Sequence, residues 1–320
     1  MTPILTKKIL ALLTTGALLA LGATGVQAQA AASQPTILMV THGQASDPFW
    51  SIVKNGATQA AKDAGVKLDY RAPETFDMVA MSKLIDAAVN QKPAGLVISN
   101  PDPDALGPAI RRAVAAGIPV VSMNSGLAAA EKLGIAFHVG QEELAAGRAV
   151  GAELKKRGAT KALCVNQEVG NAALDQRCKG VTEGFGGAVS VLPTSADPGE
   201  IESKIRAALS SDKAVDAVVG LSAPLVGERA VAAVQALGLG TKVKVASFDL
   251  SAGFLKSVSE GKAEFAVDQQ PYLQGYVPVS SLALKARHGL LPAGNVPSGP
   301  SFVTKADAAK VIALSAKGIR

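Results

Sequence analysis

The residues of this 320-residue chain best suited to chemistry share one setting: each follows a short apolar run. His42-Gly43-Gln44-Ala45-Ser46-Asp47-Pro48-Phe49-Trp50 follows Thr36–Val40, and Asn124-Ser125-Gly126 follows Pro119–Met123. Asn171 and Arg177 lie beyond Ala162–Asn166, Ser222 comes after Gly220-Leu221, Asp249 after Phe248, and Gln269 after Ala266-Val267-Asp268. Asp, Asn, Gln, Ser and Arg offer paired donors and acceptors to adjacent hydroxyls, and a planar aromatic ring covers the apolar C–H face of a sugar, so the set suits a polyhydroxylated ligand. Other readings stand beside this one. Asp47 also fits the N-cap of a helix starting near Phe49. Phe49 and Trp50 point about 100° apart on that helix, so one can pack inward while the other faces ligand, although both are expected to touch it. Arg177 can equally pair with Asp175 or Glu183 on the surface.

Catalytic signatures fail at their required spacing. G-x-S-x-G, H-E-x-x-H, the phosphate-binding G-x-x-x-x-G-K-[ST] and a helix-opening G-x-G-x-x-G are all missing from the sequence. Of the three histidines, His42 could orient a ligand, His138 sits within an apolar run and His288 beside Gly289 at a helix end, a spacing that makes no metal site. The expectation is a binding protein rather than an enzyme, with no cofactor and no metal.

The elements that position these groups alternate. Apolar runs of four to six residues, many rich in Val and Ile, extend over Thr36–Val40, Val66–Tyr70, Gly95–Ser99, Pro119–Met123, Ile135–Val139, Ala162–Asn166, Val189–Leu192, Ala217–Leu221, Val243–Phe248 and Ala263–Val267. Amphipathic stretches lie between them, at Phe49–Ala64, Met78–Asn90, Asp104–Ala116, Glu142–Lys156, Ile201–Leu209 and Leu225–Leu237. Gly65, Gly117, Gly158 and Gly238 stand at their ends as C-terminal caps. This is an α/β chain of parallel strands covered on both faces. Its length favours two lobes of about five strands each, with a break near Gly140 and a second connection in the Pro- and Gly-rich stretch Pro292–Pro300.

With 48% hydrophobic and 18% charged residues the chain is a folded protein. Its net charge of +6 includes Lys7 and Lys8, which open a segment read as a secretory signal peptide. An apolar stretch of about 13 residues follows, too short for the ~20 that span a bilayer, then small residues at Val26, Ala28 and Ala30. Without residues 1–30 the surplus is +4 and no basic run exceeds Lys155-Lys156-Arg157, too dilute for nucleic acid. Export to an oxidising compartment favours a disulfide between Cys164 and Cys178, with two buried thiols as the alternative.

Taken in order, Asp47-Pro48-Phe49-Trp50, Ile118-Pro119-Val120-Val121 leading to Asn124-Ser125, Arg177-x-x-Gly180, Phe248-Asp249 and Gln269-Gln270-Pro271 resemble the type I periplasmic sugar-binding proteins, the ribose-binding family. The resemblance covers nearly the whole chain after the signal segment. It implies two Rossmann-like lobes joined by a three-strand hinge, one built from residues 36–140 with 270–300 and the other from 141–269 with 301–320. A monosaccharide or related polyol would be held in the cleft and delivered by a monomeric periplasmic receptor to the permease of an ABC importer. By position it places Asp47, Phe49 and Trp50 in the first lobe's share of the site and Asn171, Arg177, Ser222, Asp249 and Gln269 in the rest. Asn124 and Ser125 stand where the ribose binder carries an acid followed by an arginine, which argues against ribose itself.

Three other functions fit parts of the pattern. A repressor built on the same core would need a DNA-binding segment before Thr36, where the signal segment lies. An exported sugar-acting enzyme would use Asp47 and Asp249 as its carboxyl pair, but Arg177 beside Asp249 is expected to hold that acid ionised. The same fold could also take a non-sugar ligand such as a nucleoside or a signalling furanose. Two carboxylates beside one arginine favour a neutral ligand.

Overall fold

The computed structural model describes residues 34–43 and 47–320; the signal segment lies outside the described residues. The strands are β1 (Thr36–Val40), β2 (Lys67–Arg71), β3 (Gly95–Ile98), β4 (Val120–Met123), β5 (His138–Gly140), β6 (Lys161–Asn166), β7 (Ala188–Pro193), β8 (Ala217–Gly220), β9 (Lys244–Phe248), β10 (Phe265–Asp268), β11 (Val296–Pro297) and β12 (Ser301–Thr304). The helices are α1 (Pro48–Ala64), α2 (Met78–Asn90), α3 (Pro103–Ala115), α4 (Leu127–Ala130), α5 (Glu143–Lys156), α6 (Ala172–Phe185), α7 (Pro198–Ser211), α8 (Glu228–Ala236), α9 (Ala252–Ser259), α10 (Pro271–His288) and α11 (Lys305–Ala316).

These strands make two sheets of six, ordered β11-β5-β4-β3-β1-β2 and β12-β10-β9-β8-β6-β7. All neighbours are parallel except β12, which runs antiparallel to β10. Each sheet exceeds the expected five strands because the Pro-rich stretch supplies β11 to the first and leads directly into β12 of the second. Each sheet also reverses its order of winding beside its first strand, between β1 and β3 and between β6 and β8. At such a switch point the loops leaving the strand ends diverge and open a crevice.

Sequence alternation builds the layers. In β1, Ile37 and Met39 pack with Val53 and Ala57 of α1 and Leu282 of α10, while Leu38 and Val40 pack with Ile85 of α2 and Ile110 of α3. In the second sheet Leu163 and Val165 face α7 and α8, and Cys164 faces α5 and α6. The inner strands β3, β4, β8 and β10 are buried throughout, whereas β2 and β7 are edges with polar or exposed residues. Asp47, Asp77, Asp102 and Asn171 cap α1, α2, α3 and α6 through side-chain bonds to the first-turn amides. Residues Ala223–Gly227 form a π turn ahead of α8, which takes in the first residues of the helix expected from Leu225.

The disulfide is present and ties Cys164 of β6 to Cys178 of α6 with Cα atoms 5.8 Å apart. Closing a loop of 14 residues is worth about 3 kcal/mol in the chain-entropy model. The same α6 lies against α5 with glycines at the contact: a Cβ at Gly180 would overlap the Leu144 carbonyl oxygen, and one at Gly147 would overlap that of Arg177. In the first lobe α1 and α10 meet the same way, at Gly56 and Gly275. The chain passes between the sheets three times, after β5, after β10 and between β11 and β12. At these crossings Ser298 N–H donates to Gly140 O and Gln270 Nε2 to Ser298 O, while buried Asp268 accepts from Gln270 N–H and Arg320 Nε.

A side chain at Gly180 must push α6, and Arg177 with it, away from α5. Gly180→Val should lower the unfolding free energy by about 3 kcal/mol in urea denaturation. Lys179→Ala, on the exposed face of the same turn, should stay within about 0.5 kcal/mol.

Candidate functional site

The switch points of the two sheets face one another. Between them lies a small polar cavity. All eleven ligand-contact residues expected from the sequence line it: His42, Asp47, Phe49, Trp50, Asn124 and Ser125 on one side, Asn171, Arg177, Ser222, Asp249 and Gln269 on the other. Its walls touch directly, the Ala172 N–H at the start of α6 donating to Pro101 O beyond β3 at 2.9 Å.

The first lobe contributes an aromatic corner. Phe49 and Trp50 both line the cavity and both belong to the core beneath it, so neither turns away to serve packing alone. Their rings meet edge to face at 5.2 Å, and Trp50 meets His42 edge to face at 4.6 Å. Asp47 caps α1 through a 3.0 Å bond from the Phe49 N–H and lines the cavity as well. Asn171 repeats this double role in the second lobe, capping α6 through the Ala173 N–H.

His42 is buried, and burial with the nearby Arg177 charge pushes its pKa down to about 3, so the ring is neutral. Ser99 Oγ accepts the His42 backbone N–H at 2.9 Å and lies 2.7 Å from Nδ1. On the other side of the ring Nε2 lies 3.9 Å from Glu168 Oε2.

The second lobe holds the one arginine of the site, and its partner is not the one expected. Arg177 is only 3% exposed and binds Glu143 of α5 through two parallel bonds, Nε to Oε2 at 2.6 Å and Nη2 to Oε1 at 3.0 Å. Asp175 instead accepts from Asn166, and Glu183 pairs with Arg148. Arg177 Nη1 donates to Leu221 O at 3.3 Å, and the guanidinium lies 4.8 Å from the centre of the Phe248 ring.

Because Glu143 neutralises Arg177, the cavity's other carboxyls face one another without a matching cation. Burial pushes Asp249 up to about 7 despite the opposing pull of Arg177, so the arginine does not hold this acid in the usual carboxylate range. Asp47 rises to about 7 by burial against the Phe49 N–H bond, with Glu168 adding to the rise. Glu168 is itself raised by burial. Glu168 and Gln167 line the cavity but escaped the sequence reading, although they stand directly after β6. Gln167 Oε1 and Ser222 Oγ are buried with no partner among the described residues.

Asn124 and Asp249 hold equivalent places, each following the fourth strand of its lobe, and both have positive φ, 61° and 68°. This left-handed conformation is uncommon outside glycine, and Asn and Asp tolerate it best. It turns the chain sharply at the end of the strand, where the cavity begins. Asn124 Nδ2 lies 3.4 Å from Gln269 Oε1, and Gln269 Nε2 in turn donates to Asp249 Oδ1. Among the described residues no cluster of His, Cys, Asp or Glu is placed to hold a metal ion.

Two doubly wound lobes with their strand ends converging on one polar cavity are the architecture of the type I periplasmic binding proteins. The model of the periplasmic binding protein domain matches residues 37–289, and the chain belongs to that family. A solved carbohydrate transporter structure from Acidothermus cellulolyticus, in complex with myo-inositol, is 38% identical, superimposes with a TM-score of 0.85 and covers 90% of this chain and 100% of its own. A xylose/arabinose-binding protein of Sulfolobus acidocaldarius is 25% identical over 85% of this chain and 71% of its own length. The ribose import binding protein of Haemophilus influenzae is 25% identical over 80% and 87%. The family and these neighbours are binding proteins rather than enzymes.

Removing Arg177 strands a buried carboxylate. Arg177→Ala should cost about 3–5 kcal/mol in chemical denaturation, and R177M/E143M should recover most of that loss. The raised carboxyls also set a pH dependence. Asp47 and Asp249 are protonated more readily when folded than when unfolded, so their contribution is lost as pH rises through about 7. The protein without ligand should lose on the order of 1 kcal/mol per carboxyl between pH 6.5 and 8. Below pH 6.5 the lowered His42 and His138 work in the opposite direction and flatten the profile. Thermal unfolding across this range should show both limbs, with a shallower alkaline limb in Asp249→Asn.

Proposed function

We propose that this protein is a periplasmic solute receptor that closes on a neutral monosaccharide or cyclitol and delivers it to the permease of an ABC importer. The observation that carries this reading is the cavity itself. Asp47, Asn171, Ser222, Asp249 and Gln269 present hydrogen-bonding groups from both sides, beside an aromatic wall made by Phe49 and Trp50. A sugar or cyclitol is polar at its rim and apolar on its ring faces, which matches that division. The sole arginine is already paired, so an anionic ligand would meet uncompensated carboxyls. The 38% identical neighbour in complex with myo-inositol, and the curated relatives named for xylose, arabinose and ribose, support a ligand of this size and class.

The remaining parts follow from that reading. Residues 1–30 serve as a cleaved signal peptide that delivers the chain to the periplasm. Residues 36–140 with 270–300, and 141–269 with 301–320, move as two bodies about the three crossings, and the ligand bridges them when they close. The receptor acts as a monomer and performs no chemistry on its ligand.

Unfolding the purified protein to release carried-over ligand, refolding it and recording its melting temperature against pentoses, hexoses, cyclitols, nucleosides and sugar acids tests the assignment. A ligand at 100 times its Kd adds about 2.7 kcal/mol to stability. One sugar or cyclitol, or a few related ones, should raise the melting temperature by several degrees, while sugar acids leave it unchanged. A flat response, or a response to nucleosides or acids alone, overturns the reading.

A further inference from the structure

Gln274 lies outside the cavity, on the first turn of α10, and is completely buried. Its amide nevertheless reaches two of the three crossings and two cavity residues. Nε2 shares its two hydrogens among three acceptors, Gln269 O at 2.9 Å, Gln269 Oε1 at 3.0 Å and Ser298 Oγ at 3.0 Å. Oε1 lies 3.3 Å from Asn124 Nδ2. An amide cannot serve both orientations here, because the main-chain oxygen of Gln269 can only accept and so requires the Gln274 nitrogen to face it.

The consequences propagate. With Gln274 Nε2 as donor, the side-chain oxygen of Gln269 must face Gln274 and Asn124. Its Nε2 then has to face Asp249, where it donates to Oδ1. Asp249 is thereby an acceptor at Oδ1, and its other oxygen is left for the cavity. Asn124 Nδ2 is held in the same network, while its Oδ1 accepts from Ser125 Oγ at 2.8 Å.

We propose that Gln274 is a positioning residue that fixes the hydrogen-bond polarity of the Asn124-Gln269-Asp249 chain, and so holds Oδ1 of Asp249 as an acceptor turned to Gln269 and leaves its other oxygen to the ligand. It acts through Gln269, without contact with ligand, and couples the hinge crossings to the site. The structural half of this assignment stands without any ligand; the effect on recognition rests on the receptor reading above.

Gln274→Glu reverses the polarity. An oxygen replaces the donor, the Gln269 amide must turn to donate to it, and its oxygen then confronts Asp249. Asp249→Asn supplies the missing donor, although residues 249 and 274 share no direct bond. In urea denaturation of the ligand-free protein, Q274E should lower the midpoint clearly, and Q274E/D249N should recover at least half of that loss. Q274M, which conserves shape and imposes no polarity, should also lose stability but gain nothing from D249N. Losses that add in the Q274E cycle, or a D249N rescue of Q274M equal to that of Q274E, overturn the proposal. If Q274E does not fold, folding of Q274E/D249N supports it, and failure of that double variant while Q274M folds overturns it. A second reading uses myo-inositol, D-ribose and D-xylose in calorimetric titration. Where the wild type binds one of these, Q274M should weaken it at least tenfold, and unchanged affinity overturns the assignment. Binding of none by the wild type bears on the receptor reading, and the denaturation cycle still decides the role of Gln274.

Discussion

A guanidinium can be taken almost completely out of water only if its charge is matched nearby and its donors are placed. Arg177 meets both conditions through Glu143, and much of the second lobe's share of the cavity depends on that pair. It ties α5 to α6 at the cavity wall, next to the contact where Gly147 and Gly180 let the two backbones touch. It stands one residue from Cys178, whose disulfide holds the same helix to β6. Because the pair is internally neutral, Arg177 contributes shape and directed donors to the cavity without a surplus charge.

The electrostatic character of the site follows from that neutrality. Asp47 and Asp249 are buried and Glu168 is largely so, with His42 neutral beside them, and desolvation raises the proton affinity of each carboxyl. Ligand hydroxyls donate to carboxylates, so a neutral polyol relieves the desolvation that an anion would worsen. The two lobes share the work in equivalent ways. Asp47 and Asn171 cap the helix after the first strand of each lobe and face the cavity, and Asn124 and Asp249 make the same left-handed turn after the fourth. The hinge amides of Gln269 and Gln274 connect this second pair.

Much of this was legible in the sequence. Apolar runs buried on both faces need no partner to declare themselves, so β1, β3, β4, β6, β8 and β9 fall within a residue or two of their expected bounds, as do α1, α2, α3 and α5. The eleven cavity residues were found because parallel α/β sheets gather their ligand groups at strand ends, a rule that works on sequence order alone. α10 was harder to see: Pro278 lies inside it, where a proline reads as a breaker, and its apolar residues face both α1 and the sheet, which blurs the helical period. β11 and β12 are short, the first inside and the second directly after a stretch whose prolines and glycines read as a linker.

By itself the sequence determined the α/β class, the two-lobe organisation and the polar, aromatic character of the site, because each depends on the type and local spacing of residues. Only the tertiary structure decided the partners. Glu143 lies 34 residues from Arg177, and Gln274 lies 150 from Asn124, so no local pattern could join them. It also decided the charge state, since whether Arg177 or burial governs Asp249 depends on distances and exclusion of water, which exist only once the lobes have come together.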